Sequence, residues 1–161
     1  MELIKADTGY AEAVASIYDE VRNGELCVWS EQYPTLEHAL DDAKNGCLYV
    51  LTDGGNIIGC ASVEPVAEDD DLPFWSICDG SHREVSRVAV RPEYRGKGYA
   101  RTIMAMLIKE LEDMGVSSVH LLAAKKNIPA VKTYKSLGFG FIGDCFRYGA
   151  DYHVCEKILR R

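Results

Sequence analysis

A turn rich in glycine and basic residues, "RPEYRGKGYA", stands between the apolar run "VAV" and a long amphipathic segment. The N–H groups in the first turn of a helix lack partners within that helix, and the helix dipole adds partial positive charge there. Gly96 and Gly98 would let a ligand approach the backbone closely, because glycine has no side chain. The order of strand, glycine turn and helix therefore predicts a cradle for a phosphate-like anion.

The charge distribution agrees with an anion site. The chain has a net charge of −7 over 161 residues, yet two short segments are basic. Residues 83–101 hold six basic and two acidic residues, and residues 125–135 hold four basic and no acidic ones. Two local basic segments in an acidic protein favour a small polyanion, and they argue against nucleic-acid binding.

The glycine turn matches neither of the two common nucleotide-binding patterns. The P-loop pattern is absent, and G-x-G-x-x-G fails because Arg101 stands where its third glycine would be. The pattern that fits is R-x-x-G-x-A, formed by Arg95, Gly98 and Ala100. Here the sequence resembles the GNAT superfamily of acetyl-CoA-dependent N-acyltransferases, whose corresponding motif binds the pyrophosphate of CoA.

A second stretch resembles the same family. The residues from Asn127 to Phe139 read N-x-x-A-x-x-x-Y-x-x-x-G-F, which is similar to the family's second CoA-side motif. One predicted helix and one predicted strand separate the two motifs, as in the family. The resemblance implies acetyl-CoA as co-substrate and an amine acceptor. The CoA-binding residues it implies are Val88, Ala89, Val90, Arg95, Gly96, Lys97, Gly98, Tyr99, Ala100, Arg101 and Asn127.

The resemblance also suggests roles for individual groups. The backbone of Val88–Val90 would pair with the pantetheine arm, and the N–H of Val88 would hold the thioester oxygen. Glu84 is the candidate base, at the family's offset of eleven residues before Arg95. Tyr134 is the candidate acid, which would hydrogen-bond the developing thiolate. Each also has a purely structural interpretation: a strand glutamate paired with a nearby arginine, and a core tyrosine.

The cysteines and histidines do not predict further chemistry. None of the six cysteines forms a C-x-x-C pair, and no cysteine nucleophile aligns with a histidine base. We therefore expect reduced and mostly buried thiols, no metal site and no covalent acyl-enzyme.

The elements that must position these groups follow from periodicity and turn residues. They predict a single domain over residues 1–161 with a mixed α/β architecture. Its sheet would be largely antiparallel, with six to seven strands and helices on both faces, as in the GNAT fold. The strands around the crossover helices should be buried and partly parallel. With no apolar leader or span visible, the expectation is a cytoplasmic protein, a monomer or homodimer that does not bind membranes.

Two functions from different classes stay open. The first is transfer of an acetyl group from acetyl-CoA to a primary amine of a small molecule, amino acid or peptide, by direct attack in a ternary complex. The second is a catalytically inactive CoA-binding sensor or interaction module of the same fold. The presence of Glu84 and Tyr134 favours the enzyme.

Overall fold

A computed structural model describes residues 1–159, which form seven strands, four α-helices and three short 3₁₀ turns. The strands are β1 Glu2–Lys5, β2 Leu48–Asp53, β3 Asn56–Glu64, β4 His82–Val90, β5 Ser118–Ala124, β6 Gly140–Arg147 and β7 Ala150–Ile158. The helices are α1 Ala11–Arg22, α2 Leu36–Lys44, α3 Tyr99–Asp113 and α4 Ile128–Ser136, and the 3₁₀ turns are Thr8–Tyr10, Glu68–Asp71 and Pro92–Tyr94.

The strands form one sheet in the order β1-β2-β3-β4-β5-β7-β6 within residues 1–159. Strands β4 and β5 run parallel, whereas β1–β2, β2–β3, β5–β7 and β6–β7 are antiparallel. This mixed and mostly antiparallel sheet confirms the predicted fold class. The described residues group into two compact units, Met1–Val63 with Arg87–Ile103, and Glu64–Ser86 with the described residues from Met104 onward.

In the first unit, helix α1 supplies the main apolar face. Val14, Ile17 and Tyr18 are fully buried, as their helical spacing predicts. The side chain of Asp7 accepts the N–H of Gly9, so it caps the 3₁₀ turn that precedes α1. Helix α2 has a capping box in which His38 Nδ1 accepts the N–H of Thr35. Thr35 is therefore the N-cap of α2.

The hairpin of β2 and β3 brings its second strand very close to β4. Gly54 and Gly55, both with positive φ, make its two-residue turn. A Cβ on Gly59 would lie 2.4 Å from the carbonyl oxygen of Ala89, well inside contact distance. Only glycine at this position lets β3 pass so close to the Val88–Val90 segment.

In the second unit, β7 lies between β5 and β6 and is antiparallel to both. The turn between β6 and β7 has Tyr148 and Gly149 at positive φ, the geometry of a tight two-residue hairpin. The prediction that the strands around the crossover helices are buried is wrong for β6, which has only exposed and half-buried residues. Within residues 1–159, β6 is an outermost strand and pairs with β7 alone.

All six cysteines are free thiols, and the expectation that most of them are buried holds for three. Cys47, Cys60 and Cys155 are buried, and Cys27 and Cys145 are half-buried. Cys78 is the exposed exception, in the segment between the 3₁₀ turn Glu68–Asp71 and β4.

Candidate functional site

The glycine turn in the first unit connects β4 to helix α3. Gly96 and Gly98 have φ of 76° and 79°, which favours glycine, and a Cβ on either would meet open space. The first hydrogen bonds of α3 run from the N–H and hydroxyl of Thr102 to the carbonyl of Gly98, each 3.1 Å long. The amides that precede Thr102 therefore lie at the free end of a fifteen-residue helix, where an anion is favoured.

Three cationic side chains surround this turn, and a fourth is anchored elsewhere in the first unit. Arg95, Lys97 and Arg101 are exposed. Arg91 instead donates Nε–H to the carbonyl of Ile57 at 2.9 Å and forms an ion pair with Glu20. Arg91 is therefore anchored at the start of the turn, and the side chains of the other three lie at the protein surface.

Strand β4 has an unusual backbone just before Val88. Arg87 has φ of 50°, a left-handed conformation that residues with a side chain rarely adopt. Val88 and Val90 are half-buried, and Ala89 is buried. The backbone of β4 therefore departs from the extended conformation at Arg87, immediately before the three residues for which the family resemblance implies contact with the pantetheine arm.

Glu84 lies in the second unit and is 5% exposed. Its Oε1 atom has no hydrogen-bond partner among the described residues. Burial, followed by the charges of Asp69 and Glu64, raises the pKa of Glu84 to about 9. At neutral pH this carboxyl group is therefore mostly protonated in the absence of substrate.

The acidic turn near Glu84 is itself ordered by partners in the second unit. Arg147 bridges Asp69 and Asp71 through Nη1 and Nη2, each 3.0 Å from a carboxylate oxygen. The hydroxyl of Tyr148 is 3.0 Å from carboxylate oxygens of Glu68 and Asp69. The acidic residues of this segment are thus engaged within the protein.

A stack of three rings beside this segment is a feature that the sequence does not predict. Trp75 stacks on His120 with centroids 3.8 Å apart, and His82 stacks on His120 at 4.6 Å. His120 Nε2 lies 2.8 Å from the carbonyl of Ile77, so Nε2 carries the proton. Burial lowers the pKa of His120, which keeps the ring neutral.

Glu156 in β7 supports the same segment. Its two carboxylate oxygens accept the N–H groups of Ser76 and Ile77 at 2.9 and 3.1 Å, and Oε2 also accepts the Ser118 hydroxyl. Burial alone would raise the pKa of Glu156, but these donors bring it below its ordinary value. Glu156 is therefore a charged anchor for the backbone of residues 76–77.

Asp70, Cys78 and His82 bring three potential metal ligands within 4.8 Å of one another. The C-x₃-H spacing of Cys78 and His82 is the sequence signal for this group. However, His82 Nδ1 accepts the N–H of Gly80, so its proton resides on Nε2, which lies 3.1 Å from Asp70. A histidine that binds a metal through Nε2 normally donates a hydrogen bond from Nδ1, whereas Nδ1 of His82 accepts one. We therefore assign no metal ion to this group.

Tyr134 and Asn127 are also in the second unit, on and before α4. Tyr134 is 9% exposed and packs edge-to-face on Phe139 with centroids 5.8 Å apart. Burial raises its pKa to about 12, so the phenol stays protonated at neutral pH and keeps a proton that it can donate in a hydrogen bond. The side-chain oxygen of Asn127 accepts the N–H of Ala130 at 3.3 Å, which makes it the cap of α4.

The chain also matches a known family. The sequence profile described as "Acetyltransferase (GNAT) family" matches residues 14–139, well over half of the chain. The chain belongs to the GNAT acetyltransferase family. The family resemblance predicted from the two motifs is therefore confirmed.

Similar proteins come from curated sequences and from solved structures. This GNAT protein is 40% identical over 111 residues to the [ribosomal protein bS18]-alanine N-acetyltransferase of Escherichia coli K12, covering 69% of this chain and 64% of the relative. The corresponding enzyme of Haemophilus ducreyi is 32% identical over 77 residues, 47% of this chain and 53% of the relative. The chain thus spans less than two thirds of the length of these curated relatives.

The solved structures support the fold. A GNAT-family acetyltransferase from Streptococcus agalactiae 2603 superposes with a TM-score of 0.84 at 20% identity, covering 99% of this chain and 96% of the other. The structure of yncA from Salmonella typhimurium with its cofactor acetyl-CoA gives 0.78 at 21% identity, covering 100% and 95%. Within residues 1–159 of this GNAT protein, none of the helices has the length and apolar character needed to span a bilayer.

Proposed function

We propose that this GNAT protein transfers the acetyl group of acetyl-CoA to a primary amine by direct attack of the amine on the thioester. The observation that carries the proposal is the turn from Arg95 to Arg101. Two left-handed glycines there lead into the free N-terminus of α3, and exposed cations surround it. Backbone amides and a helix dipole at that point suit the pyrophosphate of CoA.

The strand that precedes this turn would bind the rest of the cofactor. Val88–Val90 would pair with the pantetheine arm as an added strand, and the N–H of Val88 would donate to the thioester oxygen. A donor fixed in place before the reaction stabilises the negative charge that develops on that oxygen. Val88 and Val90 are only half-buried, which supports this assignment.

Glu84 would accept the proton of the amine, directly or through water. With a pKa of about 9, roughly one molecule in a hundred has Glu84 ionised at pH 7 when no substrate is bound. A cationic amine that arrives beside Glu84 favours the charged carboxylate and lowers its pKa. Glu84 would therefore become a base only as the acceptor binds.

Tyr134 would donate a hydrogen bond to the departing thiolate of CoA. Its pKa of about 12 is well above the value of about 8.5 for a thiol, so complete proton transfer to the sulfur is uphill. A hydrogen bond that strengthens as negative charge develops on sulfur lowers the barrier without that transfer.

For the acceptor we propose an α-amine at the N-terminus of a peptide or protein. The curated relatives above are named for acetylation of an alanine of ribosomal protein bS18. An α-amine has a pKa of about 7.7 to 8.0, so about a tenth of it is already neutral at pH 7. An α-amine therefore depends less than a lysine side chain on a base that removes its proton. It suits Glu84, which is itself mostly protonated before the acceptor binds.

The test is thiol release from acetyl-CoA by the purified protein with a panel of amines. The panel contains an alanine-initiated peptide, the same peptide with a blocked N-terminus, a blocked peptide with a free lysine, and spermidine. Fastest turnover with the free α-amine supports the proposal, and preference for lysine or spermidine overturns the acceptor class alone. CoA binding without turnover on any amine would instead favour the inactive CoA-binding module.

A further inference from the structure

We propose that Arg87 is a positioning residue, whose buried ion pair with Asp42 holds β4 in the left-handed turn that directs the N–H of Val88. The inference rests on the proposed function, which gives that N–H its role. At φ of 50°, Arg87 occupies a conformation that is unfavourable for any residue with a Cβ. Such a conformation persists only where its surroundings impose it, so the contacts of Arg87 must supply the constraint.

The side chain of Arg87 is held on both sides of its guanidinium. Nε and Nη2 donate to the two carboxylate oxygens of Asp42 at 3.0 and 2.9 Å, a bidentate pair. The two side chains are only 8% and 11% exposed. The hydroxyl of Ser62 donates to Asp42 Oδ2 at 2.6 Å and fixes the carboxylate in turn. Breaking this buried pair from one side would leave a charge without compensation.

The remaining guanidinium nitrogen and the backbone of Arg87 are engaged too. Nη1 donates to the hydroxyl of Tyr33 at 2.9 Å, and the guanidinium carbon lies 5.8 Å from the centre of that ring. The carbonyl of Arg87 accepts the Cys60 thiol at 3.9 Å. Arg87 is thus fixed from α2, from β3 and from the segment before α2, and its backbone turn is determined before any ligand binds.

Two variants separate the backbone turn from the charge. An Asp42→Asn background removes the ion pair and avoids an unpaired buried carboxylate, and Arg87→Gly and Arg87→Ala in that background both remove the arginine side chain. Glycine adopts φ of 50° freely, whereas alanine resists it. If Arg87 acts by holding the turn, the glycine variant should have a kcat about 5- to 30-fold higher than the alanine variant. Glycine ordinarily weakens a strand, so a general stability effect predicts the opposite order.

The measurements are kcat, the Kd for CoA and the amide resonance of Val88. We expect the Kd to differ by less than about threefold between the two variants, and the Val88 resonance to stay near its wild-type position only in the glycine variant. The matched control is Arg83→Gly against Arg83→Ala, on the same strand and with no positive φ, where glycine should give no advantage.

Equal kcat values, or a higher value for the alanine variant, would overturn the inference. A wild-type protein without turnover on any amine would refute the proposed function instead. In that case the Val88 resonance still tests whether Arg87 holds the backbone turn. A similar displacement of this resonance in both variants would refute that claim, and displacement in the alanine variant only would support it.

Discussion

The buried carboxyl group of Asp69 acts on the buried carboxyl group of Glu84 and opposes its ionisation. The two side chains belong to residues that are 6% and 5% exposed, so little solvent screens the repulsion between them. Burial is the larger cause of the raised pKa of Glu84, and the charge of Asp69 comes next. This relationship makes Glu84 sensitive to pH in two measurable ways.

The free energy of unfolding should fall as the pH rises. The pKa of Glu84 is raised from 4.5 to about 9 in the folded protein, so the folded state binds this proton more tightly. Its contribution is therefore complete below pH 4.5 and is lost as the pH rises towards 9. We expect a loss on the order of a few kcal/mol across this window, measured by chemical denaturation at several pH values.

Glu84→Gln should flatten that dependence, because glutamine cannot ionise. The control Glu112→Gln removes an exposed carboxyl group and should leave the wild-type slope intact. A Glu84→Gln protein that keeps the full wild-type slope would show that Glu84 is ionised in the folded state.

Catalysis should show a separate signature of the same residue. Glu84→Gln should keep CoA affinity and lose rate, and the loss should shrink as the pH approaches the pKa of the amine, because solvent then supplies the neutral nucleophile. A pH–rate profile with an alanine-initiated peptide measures this. A mutant profile that parallels wild type at reduced height would assign Glu84 to positioning and not to proton transfer.

Tyr134→Phe should lower kcat by about 10²- to 10⁴-fold while CoA binding changes little. The hydroxyl acts on charge that develops during the reaction, so its loss affects the transition state more than the ground state. Steady-state kinetics and calorimetric CoA binding measure the two effects. Tyr10→Phe, in the first unit, controls for the loss of a phenol elsewhere. Wild-type kcat in Tyr134→Phe would leave Tyr134 as a packing residue beside Phe139.

Gly98→Asp should abolish CoA binding, whereas Gly98→Asn should only weaken it. A side chain at Gly98 meets open space, and Asn and Asp both tolerate positive φ better than most residues. The two variants therefore differ mainly in a negative charge placed beside the phosphates. Calorimetric titration with CoA compares them. Equal CoA affinities for the folded Asp and Asn variants would exclude phosphate binding at this turn.

The conformation of the glycine turn before α3 could be predicted from sequence because its determinants are local. Gly96, Gly98 and the basic residues around them lie within eleven consecutive positions, so the motif specifies its own geometry. The cap at Asn127 is equally local. The strand order could not be predicted in this way, because the placement of β7 between β5 and β6 depends on pairing between distant segments. A hairpin pattern gives no information about which of its strands pairs with the rest of the sheet.

The surroundings of Glu84 could not be predicted for the same reason. Asp69 and Glu64 precede Glu84 by fifteen and twenty positions, in segments whose proximity only the folded chain establishes. The left-handed turn at Arg87 carries no local signal either, since arginine is a poor residue for it. Its cause is the ion pair with Asp42, forty-five positions away.

The role of Glu156 has a consequence for the order of events during synthesis. The N–H groups of Ser76 and Ile77 both donate to the carboxylate of Glu156. Glu156 lies eighty residues after Ser76 in the chain. A growing polypeptide emerges from the ribosome N-terminus first. Residues 76–77 therefore lack their anchor until β7 has been translated and has paired with β5. The stacked rings of Trp75 and His120 then become fixed late, after all residues of the glycine turn in the first unit have been translated.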